Sequence, residues 1–224
     1  MSIAEKFETI ADAVYEKGKQ AEYERFWDSY QENGNKRFYG YAFAYWNDEV
    51  FKPKYTIMTD VNVNRTNFMF GYATLTKIMT PLYFYDTTSN STFYYCNKCV
   101  KIGDDTGGGI WVTKNRLYTS NFATCKLLEE IRFLDYNEKG EYVPSEIGNS
   151  ISFSDSPLLS VDSQVNIIKH LVDFSGTSDE GTRILTIHPE AWERLNQTYS
   201  SPIEVGISFY GSWTSYITSL GWNM

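Results

Sequence analysis

A recurring sequence motif, which we call the phrase, constrains the fold of this chain more than any other sequence feature. Its copies begin at Phe70, Phe93 and Phe122, which are 23 and 29 residues apart. A period of that size is typical of stacked supersecondary units, none of which can bury its apolar face alone. We therefore predict that the positions shared by the two clearest copies are buried: Phe93, Cys96, Ile102, Phe122, Cys125, Leu128 and Ile131.

The phrase, written F-x-x-C-x-x-L-x-x-I, resembles the repeat of BspA-type bacterial leucine-rich-repeat proteins. The segments from Tyr41 to Tyr55 and from Ser150 to Met224 resemble the first unit and the closing segment of short proteins of this type from gut bacteria and their phages. The chain departs from the pattern at Ala73, where cysteine is usual. The resemblance covers roughly residues 37–224. It implies an α/β solenoid, a right-handed leucine-rich-repeat superhelix, with a role in adhesion and protein interaction.

The predicted organisation has two parts. Residues 1–34 form an N-terminal helix, and residues 35–224 form the leucine-rich-repeat domain, with repeats at about 37–154 and a strand–helix C-terminal cap at about 155–224. Short β-branched and aromatic runs predict the strands, and apolar periodicity with Gly and Pro boundaries predicts the helices of the cap. The predicted strands are 55–58, 82–85, 110–113, 131–134, 150–154, 183–187 and 207–210, and the predicted helices of the cap start at Ser160, Pro189 and Trp213.

The N-terminal helix carries a narrow apolar edge. Ser2 and Glu5 form a capping-box signature at its start, and Gly34 is a stop signal. The edge suits a coiled-coil seam, which would produce a homo-oligomer, but a helix that caps the end of the repeats explains it as well. The seam residues recur at steps of four, three and four: Ile3, Phe7, Ile10 and Val14.

Charge and apolar content disfavour several classes of function. The net charge is −8 and no Lys/Arg-rich run is present. Both features argue against non-specific electrostatic binding to nucleic acid or to an anionic membrane. No stretch of about 18 apolar residues occurs, so no membrane insertion is expected. The N-terminus lacks a basic region followed by an apolar core, so we expect a cytoplasmic or virion-associated protein.

The three cysteines are too few for a disulfide framework. Cys96 and Cys99 form a C-x-x-C pair. In a thioredoxin-like redox site such a pair lies at the start of a helix that follows a strand. In a zinc site it would need two further ligands. Neither context is present, and the pair occupies repeat positions that Cys125 and Leu128 fill in the next copy. We interpret these cysteines as small apolar core residues, and a thiol oxidoreductase is the less favoured alternative.

The glycine-rich segment from Gly103 to Gly109 is a second motif with a chemical interpretation. It lacks the Lys-Ser/Thr pair of a phosphate-binding loop, and its Asp104 and Asp105 lack the spacing of a calcium loop. We interpret it as an insertion within the second repeat. Neither a nucleophile elbow nor an H-E-x-x-H motif occurs, so we predict no catalytic residue, no cofactor and no metal.

A surface is the remaining candidate site. Alternate residues of a strand face opposite sides of a sheet, so a core-facing Leu82 and Ile110 would place their neighbours on the outer face. A stripe of Tyr, Trp and Arg is typical of interface hot spots, and its rings could also stack on sugars. The alternative is that these aromatic residues only stabilise the sheet through cross-strand contacts. The predicted binding face consists of Tyr83, Tyr85, Trp111 and Arg132.

The sequence therefore predicts a non-enzymatic recognition or assembly module that binds a protein partner. A carbohydrate-binding module that uses the same aromatic stripe is the first alternative, and the thiol oxidoreductase is the second. The resemblance alone suggests the biological setting, which is surface adhesion or a component encoded by a phage or prophage.

Overall fold

The structure is a computed structural model that describes residues 70–84, 91–103, 107–113, 119–137 and 139–224, together with Lys17 and positions 31–32, 35–36, 50–51 and 57–59. Within these residues the chain forms short strands and three α-helices. The strands are β1 Gln31–Glu32, β2 Asn35–Lys36, β3 Val50–Phe51, β4 Ile57–Thr59, β5 Lys77–Ile78, β6 Pro81–Phe84, β7 Lys101–Ile102, β8 Gly109–Val112, β9 Glu130–Ile131, β10 Ile151–Phe153, β11 Arg183–Ile187 and β12 Trp222–Asn223. The α-helices are α1 Val161–Lys169, α2 Pro189–Thr198 and α3 Trp213–Ser219, and 3-10 helices span Thr119–Phe122 and Pro202–Val205.

Two parallel ladders join the repeated units, which we number 1 (residues 70–84), 2 (91–113) and 3 (122–134). One sheet has the order β3-β5-β7-β9 and the other the order β4-β6-β8, with every pair parallel. Units 1 and 2 contribute a strand to each sheet, and unit 3 contributes β9 and a bridge from Phe133 to Ile110. Parallel strands require long crossovers, and the rest of each unit supplies them.

The first residue of each copy of the phrase lies in a continuous stack of phenyl rings. The Phe93 ring stacks on those of Phe70 and Phe122, with centroids 5.5 and 5.3 Å apart. Phe122 stacks in turn on Phe153 at 4.7 Å, and all four side chains are fully buried. The burial predicted for the shared repeat positions is confirmed, because none of them is more than 3% exposed.

The turn that follows each phenylalanine repeats its backbone conformation. Tyr72, Tyr95 and Thr124, each two residues after the phenylalanine, have positive φ angles of 60°, 62° and 66°. Tyr72 N donates a hydrogen bond to Tyr94 O at 2.9 Å, and Tyr95 N donates one to Ala123 O at 3.2 Å. The turns therefore join successive units through hydrogen bonds as well as through the packing of rings.

Helix α1 takes the place of a further strand beside β9. Ser163 Oγ accepts a hydrogen bond from Ile131 N at 2.9 Å. Asn166 Oδ1 accepts from Phe133 N at 2.6 Å, and Asn166 Nδ2 donates to Phe133 O at 3.1 Å. These two side chains satisfy main-chain groups that an open sheet edge would offer to another strand.

The C-terminal region forms a third parallel sheet, in the order β10-β11-β12. Its buried side chains belong to the same core as those of the repeats. Both buried indoles have hydrogen-bond acceptors: Trp213 Nε1 donates to Tyr199 O at 2.9 Å and Trp222 Nε1 donates to Val172 O at 2.8 Å. The strand predicted at 183–187 is confirmed, and the three helices of the cap start within one residue of the predicted positions.

The strand predicted at residues 207–210 is wrong, because local hydrogen bonds use the main-chain groups of this segment. Phe209 N donates to Ile207 O at 2.7 Å, and Ser201 Oγ donates to Phe209 O at 3.2 Å. The sheet instead takes its third strand from β12, which pairs with the first two residues of β11. A two-residue strand carries too little sequence pattern to be predicted.

Most of the N-terminal prediction lies outside the described residues. Lys17 is helical, but β1 and β2 form a short antiparallel pair, so the predicted helix does not reach residue 34. The residues between the two strands are Asn33 and Gly34, a dipeptide that favours a tight hairpin over a helix end. The seam residues lie outside the described part of the chain, so the coiled-coil and capping interpretations both stay predictions: Ile3, Phe7, Ile10 and Val14.

We predict that Phe122→Ala lowers the free energy of unfolding by about 3–5 kcal/mol, because it removes the middle of the ring stack and leaves a cavity. Leu127→Ala in the same unit is the control, since Leu127 is 43% exposed and should change stability by less than about 0.5 kcal/mol. Urea denaturation measures both. If both variants lower the free energy of unfolding by the same small amount, the ring stack is not a main source of stability.

Candidate functional site

The aromatic residues that were predicted to form an exposed stripe are buried. Tyr83 is 9% exposed and Trp111 4% exposed. The predicted side of the sheet is nevertheless observed, since the two rings lie 6.2 Å apart in a small cluster separate from the main core. The expected exposure is therefore wrong for both residues, and Tyr85 lies outside the described residues.

A hairpin of the same chain covers this side of the sheet. Trp111 Nε1 donates a hydrogen bond to Val143 O at 2.7 Å. Ser145 Oγ, on the same segment, donates to Leu134 O at 2.8 Å. Residues 135–145 close on themselves through an antiparallel bridge between Tyr136 and Tyr142. Tyr83 and Trp111 therefore anchor a hairpin and do not themselves form an open binding face.

Arg132 does not share the row of Tyr83 and Trp111. Because Phe133 bridges to Ile110, the position beside Trp111 belongs to Leu134, which joins the buried cluster. Arg132 is exposed at the corner between the two ladders. Of the residues predicted as one face, the structure brings Tyr83 and Trp111 together and places Arg132 outside their row.

Close main-chain contacts at the corner beside Arg132 explain why two positions of the glycine-rich segment are glycine. Gly103 has a φ of +97°, and a Cβ there would lie 2.7 Å from Gly108 O. A Cβ on Gly109, whose φ is +149°, would lie 2.7 Å from Arg132 O. Only glycine fits such close approaches of main chain. Gly103 therefore serves packing within unit 2 and Gly109 serves packing between units 2 and 3, and residues 104–106 lie outside the described part.

Three tyrosines form a partly exposed aromatic cluster on the turns of units 1 and 2. We call Tyr72, Tyr94 and Tyr95 the tyrosine cluster. Tyr72 and Tyr95 stack with centroids 5.3 Å apart, and Tyr94 contacts both rings at 5.9 and 5.3 Å. Tyr72 is 38% exposed and Tyr95 43% exposed. Mutual contacts hold the rings in place while part of each remains accessible.

The backbone beneath the tyrosine cluster is strained. A bulky residue in the left-handed region costs about 1–2 kcal/mol relative to the right-handed one. Tyr72 and Tyr95 both adopt this conformation, with φ angles of 60° and 62°, at positions where glycine would be free of strain. Strained residues persist only where the surrounding structure holds them, and they concentrate at binding and catalytic sites.

A polar groove of about 560 Å³ runs between β7, β9 and the start of α1. Lys101 and Glu130 form an ion pair across the two strands that line it. Ser163 and Asn166, at its other wall, use their polar atoms on the main chain of unit 3. The groove is therefore a junction between the repeats and the cap, and its polar residues Lys101, Glu130, Ser163 and Asn166 make internal contacts.

The cysteines are core residues, as the sequence predicts. Cys96, Cys99 and Cys125 are free thiols with no exposed surface. Burial raises the pKa of Cys99 to about 12 and also raises the pKa of Cys96 and of Cys125. A redox-active C-x-x-C pair needs the opposite shift, since the thiolate is the reactive form. The structure thus gives the thiol oxidoreductase hypothesis no support.

Two further searches give findings that hold for the described residues alone. No group of three or more His, Cys, Asp or Glu side chains among them is arranged to hold a metal ion. None of their helices combines the length and the apolar character needed to cross a membrane.

Sequence reasoning missed the tyrosine cluster, although the repeat register contains a signal for it. Tyr72 and Tyr95 occupy the same repeat position, two residues after the phenylalanine. An aromatic residue at a repeated turn position cannot be part of the strand alternation, so it points to a surface outside the sheet. The search for a stripe along the strands overlooked it.

No family model, no curated protein and no solved structure matches this chain. The resemblance of its phrase to BspA-type repeats therefore stays a prediction.

We predict that the native protein shows no rapid reaction with a thiol reagent and that all three thiols react after unfolding. Because the pKa of Cys99 is raised to about 12, the native reaction should stay slow from about pH 7 to about pH 9. The exposed substitution Thr218→Cys supplies a fast-reacting control. A native thiolate that titrates near neutral pH would restore the oxidoreductase hypothesis.

We predict that Tyr95→Gly is more stable than Tyr95→Ala by about 1 kcal/mol, although both remove the ring. Glycine relieves the left-handed strain, whereas alanine keeps it. Denaturation of the two purified variants measures the difference. If alanine equals or exceeds glycine, the left-handed backbone at residue 95 is contradicted.

Proposed function

We propose that this protein is a non-enzymatic recognition or assembly module that binds a protein partner through the tyrosine cluster. The observation that carries the proposal is a cluster of three mutually packed tyrosines, in which Tyr72 and Tyr95 are exposed on a strained backbone and Tyr94 is half-buried against both. Neither core packing nor backbone preference explains Tyr72 and Tyr95, because their rings are partly exposed and their left-handed conformation disfavours a bulky residue.

The chemistry of tyrosine supports a protein as the partner. Tyrosine is enriched among residues that dominate binding energy, because it offers a large contact area with few rotatable bonds. Rings that already contact one another lose little freedom when a partner docks. The net charge of −8 disfavours nucleic acid as the ligand.

We further propose that the chain is a leucine-rich-repeat solenoid of the BspA-like class. The parallel pairing of successive units, the phenyl stack and the repeated left-handed turn support this proposal. The cysteines are free thiols, which suits a reducing compartment such as the cytoplasm or a phage particle assembled there. Self-association through the N-terminal seam is a separate hypothesis that does not involve the cluster.

The test starts with a photo-reactive phenylalanine analogue at position 95, in a lysate of the source organism. The same analogue at Tyr210, which is 88% exposed, is the matched control. The proposal predicts a protein that crosslinks from position 95 and not from position 210. That protein is then purified for affinity measurements.

With the purified partner, we expect Tyr72→Ser combined with Tyr95→Gly to weaken binding by about 2 kcal/mol or more, which is about 30-fold. Tyr210→Ala should leave the affinity unchanged. If the double variant binds as tightly as the native protein, the cluster is not the binding surface. If cluster-dependent binding is found for an oligosaccharide and for no protein, the partner is a glycan and the proposal is wrong about its class.

A further inference from the structure

A second concave site lies beside the cap, and none of its lining residues belongs to the tyrosine cluster. It has a volume of about 530 Å³, within the range of about 300–1,000 Å³ that is usual for small-ligand sites. Its walls come from the hairpin 135–145, the last turns of α1, the Gly206–Ile207 turn and α3. The residues that matter for its chemistry are Asp135, Tyr142, Lys169, His170 and Tyr216.

The hairpin that carries Tyr142 is held rigidly. Asn137 Oδ1 accepts hydrogen bonds from Lys139 N and Glu141 N, both at 3.0 Å, which shapes the turn. The Trp111 indole holds the returning strand through its bond to Val143 O. The buried aromatics that were expected to bind a ligand thus support the wall of this cleft.

Two aromatic rings line the cleft on different elements. Tyr142 is 69% exposed and packs edge-on against Tyr136, with ring centroids 5.5 Å apart. Tyr216, which is half-buried on α3, packs against Phe209 at 5.3 Å. Burial, and to a lesser extent the negative charge of Asp173, raises the pKa of the Tyr216 phenol. Its hydroxyl therefore remains available as a hydrogen-bond donor at neutral pH.

Two polar groups of the cleft, His170 and Asp135, contact each other. His170 is 5% exposed, and its Nδ1 lies 2.7 Å from Asn166 O. His170 Nε2 lies 3.2 Å from Asp135 Oδ1, so the buried ring and the carboxylate are in direct polar contact. The Asp135 side chain stays 49% exposed at the rim, and Lys169 is exposed beside it.

We propose that this cleft binds a neutral sugar of monosaccharide or disaccharide size. A pyranose presents an apolar C–H face, which suits the ring of Tyr142, and a rim of hydroxyls, which suits an acceptor at Asp135 and donors at Lys169 and Tyr216. The acidic and basic groups at the rim offset one another, which disfavours a ligand that carries a strong net charge. The site is independent of the protein-binding surface proposed above.

The test is saturation-transfer NMR on the full chain with a panel of defined sugars: glucose, galactose, mannose, N-acetylglucosamine, lactose and cellobiose. Concentrations of up to about 20 mM cover the millimolar affinities expected of an open cleft. We expect at least one sugar to bind the native protein. Tyr142→Ala should weaken that binding by at least about tenfold, and Asp135→Asn should weaken it as well.

Two controls make the result decisive. Tyr210→Ala removes an exposed ring outside the cleft and should leave the affinity unchanged. Tyr95→Gly, which disables the tyrosine cluster, should also bind sugar normally, so the two proposals can fail separately. The inference is overturned if no sugar of the panel gives saturation transfer, if Tyr142→Ala binds like the native protein, or if Tyr95→Gly abolishes binding.

Discussion

Main-chain hydrogen bonds between equivalent positions of consecutive units are the interaction on which the rest of the structure depends. Phe70 N donates to Thr92 O at 2.8 Å, and Phe93 N donates to Asn121 O at 3.1 Å. Since a one-residue slip would leave buried donors without acceptors and carry core side chains to the wrong face, the units have a single favourable register. That register stacks the phenylalanines and brings Tyr72 beside Tyr95. The surface proposed for recognition is thus a consequence of how the units are joined.

In the same arrangement, the sheets serve the packing of the fold and not the binding of a partner. The hairpin covers the aromatic side of the β4-β6-β8 sheet. Ser163 of α1 accepts from β9 at the edge of the other sheet, and Asn166 accepts from Phe133 beside β8. Accessible aromatic groups remain on a repeated turn and on the hairpin, which are irregular segments held by a rigid scaffold. Such segments are where binding residues concentrate in proteins. Both proposed sites follow this division between scaffold and surface.

Sequence reasoning succeeded where a periodic pattern carried the information. The shared register of Phe93 and Phe122 predicted a buried core, and the Pro189 signal predicted a helix start. It failed where the outcome depends on distant segments: alternation placed Trp111 on the correct side of the sheet but could not reveal that residues 135–145 cover it. The cleft around His170 was equally hidden, because Asp135 lies 35 positions earlier in the chain. Contacts between separate elements leave no periodic trace in a single sequence.

Hydrogen exchange at single amides tests the central claim most directly. Val100 N and Gly103 N donate to unit 1, at 2.8 Å each, and Glu129 N donates to Val100 O at 2.9 Å. The account predicts that these amides exchange slowly and together, as parts of one cooperative core, while the amide of exposed Ser178 exchanges fast. If the amides of Val100, Gly103 and Glu129 exchange as fast as that of Ser178, the units are not joined in this register and the account is contradicted.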